Sequence, residues 1–278
     1  MFELLLFLLG LLGGGLSGLL GIGGGIIMVP LLLYAPPALG FPALGMKLVA
    51  GMTTVQSFAG TLSGAFGHQR FKRIHWRLVA AVGLPMTLAS FAGSRFSVHV
   101  SEQLMLLVFA LMALAASLLM LMPKKDSAHE EQLGDVKVNT PLAVLIGVVI
   151  GTAAGIIGQG GAFLYIPAML YLLHIPTRIC IGSALAIGIL SSGAVLTGRL
   201  GTGQIPWQNS LILVAGVIIG AQLGSLLSQR TPRVVLRRVL AVVIFATAIK
   251  ISLNVFEQYQ QMAALSQLLP SAAGQAVI

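Results

Sequence analysis

Gly18-Leu-Leu-Gly21-Ile-Gly23-Gly24-Gly25-Ile-Ile-Met-Val-Pro30 and Gly155-Ile-Ile-Gly158-Gln-Gly160-Gly161-Ala-Phe-Leu-Tyr-Ile-Pro167 align at one constant offset, glycine on glycine at four positions and proline on proline. Both stretches interrupt apolar runs, and chance is a poor explanation for two such clusters. After a short length difference in the next loop, a second constant offset pairs Lys47 with Arg178, Gly51 with Gly182, Gly67 with Gly198, Trp76 with Trp207, Gly93 with Gly224 and Ser94 with Ser225. The chain therefore reads as two related halves, an arrangement common in transporters.

Composition places those halves in a membrane. The 278 residues are 57% hydrophobic and 8% charged, with 34 glycines, whereas a soluble domain carries about 25% charged residues. Aromatic content is 6%, and the long apolar segments lack the alternating pattern of an outer-membrane barrel, so the expected class is an all-α polytopic membrane protein. The net charge of +9 does not indicate nucleic acid, because the basic residues sit in short loops where they set topology. A lone cysteine, Cys180, excludes an internal disulfide and reads as a small apolar packing residue. The stretch from Met1 to Leu12 lacks a basic n-region and runs into more membrane sequence, so it reads as retained rather than as a cleaved signal.

Apolar segments run roughly 2–20, 24–35, 45–67, 78–96 and 102–122, then 141–157, 161–173, 179–198, 207–228 and 234–253. This divides the chain into a first transmembrane repeat (1–122), a polar linker (123–139), a second repeat (140–256) and a tail (257–278). Charge sets the orientation. If each glycine-broken segment crossed once, Lys and Arg would split almost evenly between the two sides. If the chain turns back at each glycine cluster, as two crossings or a re-entrant hairpin, each half crosses an odd number of times and the second half is inverted. Twelve of the 16 Lys and Arg residues then share one side, leaving Lys47, Arg95, Arg199 and Lys250 on the other. The positive-inside rule selects this topology, with 8–10 membrane segments, a cytoplasmic linker and both termini outside.

The candidate site lies at the glycine turns. The piece from Gly24 to Tyr34 spans only about half of a bilayer core, at roughly 1.5 Å per residue against about 30 Å. It reads as a half-helix whose counterpart begins at Gly161, and paired broken helices of this kind point to a substrate site near the midplane. The N–H groups at a half-helix start are unpaired and carry the positive end of the dipole, so they attract anions. Gly21, Gly23, Gly24, Gly158, Gly160 and Gly161 are the candidate substrate-binding positions, with close helix packing as the competing explanation. Gln159 in the second turn and Gln56 in the segment after the first hairpin add amides that are costly in hydrocarbon without a partner. Thr53, Ser57 and Ser183 complete the candidates, although such hydroxyls commonly back-bond to their own helix.

The acidic residues Glu3, Glu102, Asp126, Glu130, Glu131, Asp135 and Glu257 stand at segment ends, in the linker or in the tail. Cation transporters and proton relays usually need an intramembrane carboxylate, so the pattern favours a neutral or anionic substrate. Lys47, Arg178, His68 and Arg199 stand at segment ends, where interface anchoring competes with a role in drawing anions in. The histidines lack metal-ligand spacing and no nucleophile, base and orienter set is visible. Neither an enzyme nor a cofactor is expected.

The repeated glycine-rich turn followed by proline, the basic loop and the two-half layout resemble the TauE/SafE family of sulfite exporters. The resemblance is carried most specifically by Gly18 to Pro30 and Gly155 to Pro167, with Gly182 to Gly198 supporting, and extends over nearly the whole chain. It implies a bacterial inner-membrane transporter for small sulfur-containing anions such as sulfite, sulfoacetate or a related organosulfonate. Competing expectations are an anion-selective, channel-like pore, or a membrane accessory protein docked through the basic loop at 68–77.

Overall fold

A computed structural model of the chain describes residues 1–20, 25–66, 74–122 and 138–228. Among the described residues every regular element is helical: α1 (Phe2–Leu20), α2 (Gly25–Ala38), α3 (Met46–Phe66), α4 (Trp76–Leu78), α5 (Leu84–Phe96), α6 (Glu102–Leu121), α7 (Thr140–Ile157), α8 (Ala162–Tyr171), α9 (Thr177–Arg199) and α10 (Trp207–Ser228). A π-helical turn, Val79–Gly83, joins α4 to α5 as one rod. Among the described residues, five helical stretches are long and apolar enough to cross a membrane: Trp76–His99, Glu102–Met120, Thr140–Ile157, Ile179–Arg199 and Trp207–Gly224. The first glycine turn at 21–24, the basic loop at 67–73, the linker at 123–137 and everything after 228 lie outside the described residues.

The helix surfaces match a lipid solvent. Leu4, Leu8 and Leu12 on α1, Leu84, Leu88 and Phe91 on α5, and Leu107, Leu111, Leu114 and Leu118 on α6 are exposed at helical spacing. Such stripes would be an aggregation surface in water but are the normal outer face of a membrane bundle. In contrast, α3 buries Met46, Val49 to Ser57 and their hydroxyl and amide groups inside the protein. Its polar residues are tolerable because the helix faces other helices rather than lipid.

Two glycine stripes hold the bundle together. On α1, Gly10, Gly14 and Gly18 turn their missing side chains toward the carbonyl oxygens of Leu213, Val217 and Ala221 on α10. On α7, Gly147, Gly151 and Gly155 do the same toward Val82 at the π turn and Met86 and Ser90 on α5. In each pair the partners rise together in number, so the helices run parallel. The α1–α10 and α5–α7 contacts are the most extensive among the described helices. Each half thus lays its first helix against a later helix of the other half.

Further contacts fix the remaining directions. Gly51, Gly60 and Ser63 of α3 meet Gln204, Val217 and Gln222 in rising order, so α3 runs parallel to α10. Gly83, Ser90 and Ser94 meet Ile187, Ser191 and Gly198, so α5 runs parallel to α9. Phe58 lies by Gly193 while Thr61 lies by Gly188, so α3 and α9 are antiparallel. Hence α1, α3 and α10 point one way and α5, α7 and α9 the other. Counterparts at the two offsets, α1 with α7 and α3 with α9, oppose each other.

A Cβ on Gly151 would sit 2.6 Å from the Met86 carbonyl oxygen and 3.0 Å from Ala89 Cβ, so a large side chain there must push α5 and α7 apart. Gly151→Leu is expected to destabilise the detergent-solubilised protein by about 1–3 kcal/mol, read as a lower unfolding midpoint. Val149→Leu, on the exposed face of the same helix, should leave the midpoint unchanged. Equal midpoints for the two variants would contradict this packing.

Candidate functional site

The second glycine turn is made by backbone geometry that only glycine adopts easily. Gly158 ends α7 at φ 84° and Gly161 opens α8 at φ 68°, both left-handed. Its amide and that of Gln159 fold back on the Ala154 carbonyl, at 3.0 and 2.9 Å, closing α7 in a Schellman-like stop. The amides of Leu164 and Tyr165 then return to the Gly161 carbonyl at 3.0 and 3.1 Å. Among the described residues, those of Ala162 and Phe163 are left as the orphan donors of a helix start. With 10 residues, α8 reaches about 15 Å, half of a bilayer core. On the other side, α2 runs to Ala38 over 14 residues, four positions past the expected end at Tyr34, despite Pro30, Pro36 and Pro37.

Three helices clamp this turn. A Cβ on Gly158 would collide with the Ala50 carbonyl oxygen of α3 and lie 2.7 Å from Thr54 Oγ1. Thr53 Oγ1 lies 3.4 Å and Thr54 Oγ1 3.2 Å from the Gly158 carbonyl oxygen while bonding to α3's own carbonyls. The hydroxyl of Ser191 on α9 donates to the Gly160 carbonyl at 3.4 Å and lies 3.0 Å from the hydroxyl of Ser90 on α5. On the far side of α8, Tyr165 Oη donates to the Ala184 carbonyl at 2.8 Å, so α8 and α9 form an antiparallel hairpin.

Of the residues expected at the site, Gly158, Gln159, Gly160 and Gly161 form the turn itself, and Thr53 touches it. Gln56 lies one helical turn further along α3, 1% exposed, with Oε1 unpartnered among the described residues. Gln159 is also 1% exposed. Ser57 is buried beside Gln56, and its carbonyl accepts the Thr61 hydroxyl at 2.6 Å. Ser183 is held apart from the turn, its hydroxyl accepting the His75 amide at 3.1 Å. Gly21, Gly23 and Gly24 lie outside the described residues. The two described carboxylates are occupied at helix starts: Glu102 accepts the Met46 amide at 3.0 Å and Glu3 accepts Gln208 Nε2 at 2.8 Å.

Arg199 departs most from its reading as an interface anchor. It is 1% exposed, and Nη2 donates to the carbonyls of Ile156 at 2.7 Å and Gly155 at 3.3 Å. The only sequence signal was its match with His68 at the second offset. Ser90 and Tyr165 were also missed as partners of the α7–α8 hairpin, because a hydroxyl or phenol in an apolar helix carries no mark of what it faces.

Gly158 and Gly203 both have positive φ, but a Cβ on Gly203 would meet nothing within 4 Å. Gly203→Ala is expected to cost about 1 kcal/mol from backbone strain alone. Gly158→Ala should cost several times more and lower transport, since it also pries the turn off α3. Matching unfolding midpoints for the two variants would remove the close approach from the account.

The comparisons with known proteins agree with this geometry. The sulfite exporter TauE/SafE family model matches residues 6–251. A probable membrane transporter protein of Xylella fastidiosa is 31% identical over 243 residues, covering 86% of this chain and 90% of its own length. A probable membrane transporter protein of Bacillus subtilis is 24% identical, covering 81% and 88%, and one of Methanocaldococcus jannaschii is 24% identical, covering 81% and 86%. No solved structure matches at a significant level. With its family model running almost end to end and its helices sized for a bilayer, the chain belongs to the sulfite exporter TauE/SafE family and is a multi-pass membrane transporter.

Proposed function

We propose that the protein exports small sulfur-containing anions, such as sulfite, sulfoacetate or a related organosulfonate, by alternating access across a bacterial inner membrane. The observation that carries this reading is the α7–α8 turn. It sets a helix start inside the protein, with Gln159 buried in the turn itself, Gln56 buried one helical turn along α3 from Thr53, which touches it, and no carboxylate beside it among the described residues. Orphan N–H groups and amides suit an oxyanion, whose charge they solvate without a counter-acid. The family description and the relatives' names support the class of protein. The near-complete burial of Gln56 and Gln159 favours a gated carrier over a standing pore, because substrate reaches such groups only when the surrounding helices move.

The proposed machine is two inverted repeats, 1–122 and 140–256, joined by a cytoplasmic linker at 123–139 and followed by a tail at 257–278, with both termini outside. Support comes from the opposed directions of α1 and α7 and of α3 and α9, and from the twelve-to-four distribution of basic residues. By this reading rocking of the halves exposes the anion to either side. A potential negative inside favours anion exit by about 2.3 kcal/mol per charge per 100 mV, so export needs no intramembrane proton carrier.

Proteoliposomes loaded with sulfite and given an imposed potential test this. Efflux is expected to accelerate as the potential drives anions outward and to fall by about tenfold in Gln159→Ala and in Gln56→Ala, the effect of losing one charge-assisted hydrogen bond. Efflux indifferent to both the potential and the two substitutions would contradict the proposal.

A further inference from the structure

Arg199 is the largest fully buried side chain among the described residues. Its position is fixed from several directions. Gly198, just before it, packs against Ser94 of α5, and the Thr202 hydroxyl and amide bind the Arg199 carbonyl at 2.7 and 3.1 Å. The loop beyond is tied to α5's end by Ser97 Oγ donating to Gln204 Oε1 at 2.9 Å. Nη2 spends both its hydrogens on the Gly155 and Ile156 carbonyls. Nε and Nη1, with three N–H groups between them, are buried and have no partner among the described residues.

Helix capping explains Nη2 and nothing more. The carbonyl end of α7 supplies about half an elementary charge, which does not balance a whole guanidinium. Neither described carboxylate reaches it, since Glu3 and Glu102 are engaged elsewhere. A buried guanidinium half-satisfied in this way is costly unless something anionic shares the site for part of the working cycle. The α9 residues packing on Gly160 end at Ser192, and Arg199 lies seven residues on, about 10 Å along the axis. A long side chain from there reaches back toward the turn, as its contacts to Gly155 and Ile156 show.

Resting on the anion-transport reading above, we propose that Arg199 is a second anion station: its Nε and Nη1 take a small oxyanion passing between the Gly158–Gly161 turn and the C-terminal end of α9. The station recognises charge and oxygen acceptors rather than sulfur, so sulfite, sulfate and short sulfonates compete there. Nη2 stays on α7, which ties the occupied station to the position of the hairpin. Arg199 belongs with the substrate-contacting residues, one stage removed from the turn.

Three variants, Arg199→Gln, Arg199→Met and Arg199→Lys, decide the matter when assayed for sulfite efflux and for sulfite-dependent thermal shift. The two neutral variants are expected to fold with an anion-free midpoint equal to or above wild type, since each removes an unpaired buried charge. Their half-saturating sulfite concentration should rise by about tenfold to a hundredfold, with the sulfite-dependent shift lost. Arg199→Lys, which keeps the charge but not the planar donors, should fall between wild type and the neutral pair. Unchanged half-saturation in the neutral variants overturns the proposal. So does failure of both neutral variants to fold while Arg199→Lys is stable, because the charge is then a structural cap of α7. Failure of the transport reading shows itself separately, as wild-type protein that moves neither sulfite nor sulfonates, and the thermal shifts with sulfite and sulfate then still report on Arg199.

Discussion

Everything in this molecule depends on backbone meeting backbone. In a bilayer, lipid tails are as apolar as leucine, so burying side chains does not drive helices together and close packing must do so. The glycine stripes of α1 and α7 meet that requirement, each bringing a helix against the carbonyl oxygens of its parallel partner. Because α1 packs on α10 and α7 on α5, neither half holds its first helix alone. The halves are interlocked, and relative motion between them must slide or tilt these two glycine seams.

The same constraint shapes the site. A chain that stops inside a bilayer must satisfy its backbone groups within the protein. The α7–α8 turn does so with main-chain bonds to Ala154 and Gly161, with hydroxyls from α3 and α9, and with the Arg199 guanidinium on the Gly155 and Ile156 carbonyls. The carbonyl side is thus well supplied with donors, whereas the Ala162 and Phe163 amides at the start of α8 have no partner among the described residues. That imbalance, donors in surplus beside a turn with no adjacent carboxylate among the described residues, is the basis of the proposed anion substrate. It also explains why the hydroxyls of Thr53 and Thr54 act as braces for Gly158 rather than as free donors.

Much of this was legible in the sequence because glycine and proline act locally. The cluster at Gly158 to Gly161 announced a break in an apolar run, and positive φ at Gly158 and Gly161 is why those residues are glycine. Among the described residues, the apolar segments expected from hydropathy are helical, and α2 runs a turn past Tyr34. What escaped depends on partners distant in the chain. Nothing in Gly10, Gly14 and Gly18 says that they face α10, and Arg199 at the end of an apolar run reads as an anchor until α7 is placed beside it. Ser183 looked like its neighbours on α9, yet a single bond to the His75 amide takes it away from the turn.

The central claim is that a small anion rests on the amides at the start of α8, beside Gln159. A structure of the purified protein determined with selenite, the heavier analogue of sulfite, tests it most directly. The account predicts selenium density within hydrogen-bond reach of the Ala162 and Phe163 amides. Selenium found only on the cytoplasmic or external loops, with the turn filled by side chains in every conformation captured, would contradict it.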